Sequence, residues 1–133
     1  MKLEPNVWFD EVVKTYHLIS PHIHHTQLVT CPDLNEELDG RFLFKPESLQ
    51  ITGSFKVRGA LSAISRLSKD ELKRGVIAYS SGNHAQGVAH AAKVFNTPAT
   101  VVMPKDAPER KIANARALGA QVIFYDRRTE SRE

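Results

Sequence analysis

The amino-acid sequence predicts an open α/β sheet of parallel strands, and two observations predict it. Short apolar runs, Val76–Tyr79, Ala99–Met103 and Gln121–Tyr125, recur along the second half of the chain. Between them lie segments whose apolar residues repeat near the helical period and whose ends carry capping residues. Strands alternating with such helices imply βαβ units joined by right-handed crossovers. The 133 residues suffice for one hydrophobic core but not for two full domains.

The elements follow in order. Val7, Phe9, Val12, Val13, Tyr16 and Ile19 fall near a helical period, and Ser20-Pro21 closes that first helix. A polar, histidine-rich stretch runs from His22 to Asp39, punctuated by Pro32 and Gly40. Arg41–Lys45 reads as a strand ending at Pro46. Ser54 is placed to cap a helix reaching about Leu67, with Val57, Ala60, Leu61 and Ile64 on one face. A short helical piece at Asp70–Arg74 stops at Gly75, and Val76–Tyr79 reads as a buried strand. Asn83–Phe95 is helical, with Ala85, Val88, Ala89 and Ala92 aligned. After the strand Ala99–Met103, a helix is expected over Pro108–Leu118, with Pro near its first turn and Gly119 at its end. Gln121–Tyr125 is the last strand.

Composition narrows the function classes. Hydrophobic residues are 41% and charged residues 25%, a globular balance. No apolar run approaches the roughly 20 residues that span a bilayer. The start, Met1-Lys2-Leu3-Glu4-Pro5, does not read as a secretory leader. Cys31, the sole cysteine, rules out an intrachain disulfide and fits a reducing compartment, so the cytoplasm is expected. The net charge of +3 collects late, in Lys105, Arg110, Lys111, Arg116, Arg127, Arg128 and Arg132. These residues lack the interleaved aromatics of a nucleic-acid surface and read as a solvated face. Neither a nucleic-acid nor a membrane partner is expected. His22, His24 and His25 near Cys31 match no zinc spacing, so no metal site is expected, and no Gly-x-Gly-x-x-Gly dinucleotide signature is present.

Two segments occupy the positions where such sheets bind ligands, the loops leading from strand ends into helix N-termini. Lys56 sits in the first turn of a helix, where the partial positive charge of the helix end and nearby Arg58 favour its neutral amine. A neutral amine forms a Schiff base with an aldehyde. A lone lysine is ordinarily a solvated surface group, and Lys56 gains meaning only from its company. That company is Ser80-Ser81-Gly82-Asn83-His84, which follows a strand and opens a helix. Free backbone N–H groups there suit an anion such as a carboxylate, and Gly82 allows close approach.

Thr52-Gly53-Ser54-Phe55-Lys56-Val57-Arg58-Gly59-Ala60 resembles the cofactor-lysine motif of fold-type II pyridoxal-phosphate enzymes, the threonine/serine dehydratase and serine racemase group. Ser80-Ser81-Gly82-Asn83-His84-Ala85-Gln86-Gly87 is similar to that group's substrate loop, in the same order and at the same separation. Met103–Lys111 and Arg116–Ala120 resemble its next stretch, so the likeness runs from about Phe42 onward. Thr26-Gln27-Leu28 departs from the group's Thr-Pro-Leu by a glutamine.

The resemblance implies the tryptophan synthase β-like fold, present here as an N-terminal portion. Residues 1–52 would form a piece of the larger domain, and 53–133 part of the smaller one. It implies pyridoxal 5'-phosphate as cofactor and a small amino-acid substrate. Lys56 would carry the cofactor and move the α-proton, Phe55 would pack beside the ring, and Asn83 would bond the cofactor's 3-oxygen. Ser80, Ser81, Gly82, Asn83 and His84 would surround the substrate carboxylate. The implied reaction takes the α-proton and the β-hydroxyl from L-threonine or L-serine to leave an enamine, which water then hydrolyses to a 2-oxo acid and ammonia. In the group's racemases a serine at the place of Ser81 faces the substrate opposite the lysine, which raises serine racemisation as an alternative. The full-length form is expected to be a dimer.

The chain has 7 glycines with no two adjacent, so the group's glycine-rich phosphate loop is not among these residues. Weak cofactor affinity is therefore expected, with apolar surface exposed on the first helix and at Phe42–Phe44. Two further readings are a non-catalytic chain that binds a full-length relative and a simple carboxylate-binding module.

Overall fold

The computed structural model describes residues 5–131, and the side chains from Trp8 to Ser131. The expectations for Met1–Glu4, the Val7 side chain and Arg132 lie outside the described residues. Helix α1 (Pro5–Ile19) leads through a 3-10 turn (Ser20–His22) into irregular chain interrupted by α2 (Pro32–Glu37) and a second 3-10 turn (Glu47–Leu49). Then follow α3 (Lys56–Ile64), α4 (Lys69–Arg74), β1 (Val76–Tyr79), α5 (Asn83–Val94), β2 (Ala99–Pro104), α6 (Glu109–Ala117) and β3 (Gln121–Tyr125). The three strands form one parallel sheet in the order β1-β2-β3, with Ala78 opposite Val101 and Val101 opposite Val122. The predicted open α/β sheet is thus observed.

Alternation along the strands sets the layers. Ala99, Val101 and Met103 point into the core, where they meet Ala85, Val88, Ala89 and Ala92 of α5. Helix α5 in turn packs on α3, whose Val57, Ala60, Leu61 and Ile64 are all buried. The alanines of α5 keep the layers close, and Leu61, Val57, Val101 and Met103 fill the space between them.

Gly87 makes that contact possible. A Cβ at Gly87 would lie 3.1 Å from the carbonyl carbon and oxygen of Lys56 and from the nitrogen of Val57. Only a residue without a side chain lets the first turn of α3 settle on α5 without displacing backbone. Gly75 acts similarly at the start of β1: its φ of +89° turns the chain, and a Cβ there would meet the Pro98 carbonyl oxygen at 2.8 Å.

Several expectations need correction. Arg41–Lys45 is not a strand; it makes one antiparallel bridge, Phe44 with Val29, because among the described residues no other strand lies beside it to extend the ladder. Val76–Tyr79 is a strand at the predicted bounds but is only half-buried: Ile77 is 72% and Tyr79 49% exposed, since β1 is an edge with one open face. The helix expected from Ser54 to Leu67 begins at Lys56 and ends at Ile64, with Phe55 at its N-cap; Ser54 Oγ still accepts from the Lys56 N–H at 3.3 Å. The piece expected at Asp70–Arg74 starts one residue earlier because Ser68 and Glu71 form a capping box, with the Ser68 N–H donating to Glu71 Oε2 at 2.8 Å. The last helix starts at Glu109, with Pro108 as N-cap, and Gly119 follows its Leu118 cap.

Among the described side chains of its expected face, helix α1 buries only Ile19; Phe9, Val12, Val13 and Tyr16 are exposed, as are Phe42, Leu43 and Phe44. Among the described residues no helix is long and apolar enough to cross a membrane.

Two glycines facing opposite fates test this packing. Alanine is favoured over glycine inside a helix by roughly 1 kcal/mol. Nothing lies within 4 Å of a Cβ at Gly59 on α3, so Gly59→Ala is expected to raise the melting temperature. At Gly87 the overpacking penalty, about 1–3 kcal/mol, outweighs that gain, so Gly87→Ala is expected to lower it. Thermal denaturation of the two variants checks the sign of each change.

Candidate active site

The Gly87 contact seats the start of α3 against α5, four residues after the turn that opens α5. That turn lies at the carboxyl end of β1, where the Ser80 N–H continues the sheet by donating to the Val102 carbonyl at 3.0 Å. Lys56 opens α3 and Asn83 opens α5, so two helix N-termini and one strand end belong to a single region. This is the location that parallel sheets reserve for ligands.

Lys56 is exposed, and its Nζ lies 4.9 Å from the centroid of the Phe55 ring. No salt bridge or side-chain hydrogen bond occupies that nitrogen among the described residues. Phe55 is itself 58% exposed, a large apolar face presented beside an amine. The expected contribution of Arg58 is corrected: its charge is not directed at Lys56. Arg58 Nε and Nη2 donate to the two oxygens of Glu47 at 2.7 and 2.8 Å. That fork holds the Glu47 carboxyl down to about 2; burial opposes the shift, and the Thr26 hydroxyl, donating at 2.7 Å, assists it. The Arg58 guanidinium, correspondingly, is held above its ordinary value by Glu47.

In the turn after β1, Ser80 Oγ accepts from the Gly82 N–H at 3.2 Å and so braces the loop. Ser81 and His84 are exposed, with no hydrogen bond from either side chain among the described residues. Gly82 is the N-cap of α5 and supplies no side-chain cap, which leaves the first N–H groups of that helix available to an anion. Asn83 Oδ1 accepts a hydrogen bond from Lys111 Nζ on α6. The structure therefore gathers Ser80, Ser81, Gly82, Asn83 and His84 around one turn, with Phe55 and Lys56 on the helix packed behind it.

Sequence reasoning missed the next layer. A groove of about 460 Å³ runs beside Asn83 and is lined by Thr52, Gln86, His90, Arg110, Lys111 and Asn114 among others. Thr52 Oγ1 and Gln86 Nε2 are buried without a hydrogen-bond partner among the described residues. Asn114 Nδ2 donates to Gln86 Oε1 at 2.9 Å. Burial, with the charges of Lys93 and His22, pushes the His90 imidazole below its usual range. Lys111 reads in the sequence as one cation of a solvated basic face. The recoverable signal was its spacing of three from Asn114 on a helix that must lie against α5.

The N-terminal histidines each meet a neighbour in the fold. His22 stacks edge-on against Phe95, His24 Nδ1 is 3.2 Å from the Leu49 carbonyl, and His25 Nδ1 is 3.3 Å from the Tyr16 hydroxyl. Among the described residues no group of three histidine, cysteine or acidic side chains is placed to hold a metal ion.

An amine beside an exposed aromatic ring opens the helix that packs on α5, and a hydroxyl-rich turn at the end of a parallel strand opens α5 itself. The family model for pyridoxal-phosphate dependent enzymes matches residues 19–133, and the chain belongs to that family. It is 47% identical over 125 residues to an L-threo-3-hydroxyaspartate ammonia-lyase of Pseudomonas sp, covering 94% of this chain and 39% of that protein. With an L-threonine ammonia-lyase of Thermotoga maritima it shares 48% identity over 118 residues, covering 89% of this chain and 29% of the relative. The serine racemase structure from Dictyostelium discoideum superposes with a TM-score of 0.87 at 39% identity, covering 92% of this chain and 40% of that one. The chain thus spans 29% to 39% of the length of the curated relatives it matches.

The Glu47–Arg58 fork is the charged brace beneath this site. The folded carboxyl titrates at about 2, below its ordinary 4.5, so its stabilisation is complete above about pH 4.5 and is lost as pH falls towards 2. Glu47→Gln is expected to cost on the order of 2 kcal/mol at pH 7, with the gap to the parent closing between pH 4.5 and 2. Urea titrations of both chains across that range check the size and the sign.

Proposed function

We propose that this chain supplies the lysine-bearing half of a pyridoxal-phosphate site that eliminates the β-hydroxyl of L-threonine or L-serine as water, the resulting enamine then tautomerising and being hydrolysed by water to a 2-oxo acid and ammonia. The observation that carries the reading is the Gly87 contact, which sets the start of α3, with its unengaged Lys56, on the helix opened by the Ser80–Asn83 turn. The donor set suits the cofactor: a primary amine for its aldehyde, an apolar ring for its face, and an amide for its phenolic oxygen. When bound, the cofactor supplies the electron sink for carbanion chemistry at the substrate's α-carbon.

The residues divide the remaining work. Lys56 holds the cofactor and, once released, takes the α-proton on Nζ. The N–H groups opening α5, with the Ser80 and Ser81 hydroxyls and His84, bind the substrate carboxylate and fix which bond faces the lysine. Asn83 donates to the cofactor's phenolic oxygen. Phe55 covers the ring and keeps water from one side. In this reading residues 1–52 belong to a larger domain and 53–133 to a smaller one, and the complete enzyme is a dimer in the cytoplasm. The relatives' names, ammonia-lyases acting on 3-hydroxyaspartate or threonine and serine racemase, favour a small hydroxy amino acid.

A second reading, racemisation of serine, is favoured by Ser81 alone. Its hydroxyl is exposed and makes no hydrogen bond among the described residues, whereas the Ser80 oxygen already accepts from the Gly82 N–H and keeps only its own O–H to donate. Proton return from the side away from Lys56 requires a hydroxyl there, the place that the family resemblance gives to Ser81.

Borohydride reduction after incubation with pyridoxal phosphate, followed by peptide mapping, tests the main reading. A single pyridoxyl adduct on Lys56, absent from Lys56→Ala, is expected. Label spread over many lysines, or none, contradicts it. For the second reading, Ser81→Ala is expected to abolish D-serine formation while 2-oxo acid release persists; equal D-serine rates before and after the change contradict it.

A further inference from the structure

The geometry points to Lys111 as a positioning residue that orients the Asn83 amide so that only its Nδ2 faces the cofactor; the inference rests on the pyridoxal-phosphate reading above. Two rungs join α6 to α5. Lys111 Nζ donates to Asn83 Oδ1, and one turn further along both helices Asn114 Nδ2 donates to Gln86 Oε1 at 2.9 Å. An ammonium has three donors and no acceptor. Whatever faces it must be the oxygen of the amide, so the chemistry of the partner, and not a choice between two similar atoms, sets the orientation.

The consequence lies at the other end of the same group. With Oδ1 committed to α6, Asn83 Nδ2 has no partner among the described residues and is left as a pure donor. A cation on the carbonyl oxygen also polarises the amide and strengthens the donor. An oxygen anion, such as the cofactor's phenolic oxygen, meets a hydrogen bond of fixed sense. Without Lys111, the amide turns freely and offers a repelling oxygen in part of its population.

Lys111 has features that a surface cation does not need. It is half-buried, and no carboxylate pairs with it among the described residues. Arg110 beside it is exposed. The Asn114–Gln86 rung fixes the register of α6 on α5 and so keeps Lys111 in line with Asn83. Direct attraction of an anionic ligand by Lys111 is the competing role, and it predicts a different pattern of coupling.

Pyridoxal phosphate affinity measured for the parent, Lys111→Met, Asn83→Ala and the double variant separates the two. Each single change is expected to weaken binding roughly fivefold, the worth of one net hydrogen bond. If Lys111 acts through Asn83, the double variant is no weaker than Asn83→Ala alone; additive losses overturn the inference. The Asn83 side-chain amide signals, assigned by their loss in Asn83→Ala, provide a readout without cofactor. Lys111→Met is expected to shift them and Lys111→Arg to restore them, and signals indifferent to Lys111 likewise overturn the inference. A parent that takes up no pyridoxal phosphate on Lys56 counts against the proposed function, and the amide signals then still decide the orientation.

Discussion

The site depends on one close approach, the first turn of α3 lying directly on Gly87 of α5. Helices normally keep 8–10 Å between their axes because side chains fill the gap. Here Gly87, with Ala85 and Ala89 two residues to either side, faces the backbone of Lys56 and Val57 and leaves no room for a side chain between them. The gain is positional. In the proposed function, a lysine on one helix and a turn that opens another are thereby brought to one region.

The contact would be loose without the chain that precedes it. The Gln50 side chain clasps the backbone of His24, accepting from its N–H at 2.8 Å and donating to its carbonyl at 2.9 Å. Glu47 grips Arg58 and Thr26 together. These bonds tie the irregular N-terminal segment to α3, so that the start of the helix is held from both sides. Charge is managed by the same bonds: the arginine nearest Lys56 is neutralised by a carboxylate, which leaves the helix terminus as the electrostatic neighbour of the amine.

How much of this could be read from the sequence depended on whether a signal was local. Gln121–Tyr125 and Val76–Tyr79 are observed at their predicted bounds because Gly75 and Gly119 punctuate them. The candidate site residues were named from the sequence because Phe55-Lys56 and Ser80–His84 are contiguous segments with family-like order. Long-range facts were not. Arg41–Lys45 has strand composition but only Val29 to pair with, and composition carries no information about partners. Helix α2 is six residues long and buries none of them, so it lacks the periodicity by which helices are found. Ile77 looks like core in the sequence and is exposed because nothing among the described residues covers that face of the sheet. Lys111 was visible as a charge but not as a partner of Asn83, 28 residues away.

The proposed site hinges on α3 meeting α5 at Gly87. The most direct measurement is a nuclear Overhauser contact between the Gly87 Hα protons and the Val57 amide proton in the isotope-labelled chain. A strong contact is expected, because the two backbones touch there. If that contact is missing while α3 and α5 are both formed, Lys56 and the Ser80–Asn83 turn do not share a site, and the account fails.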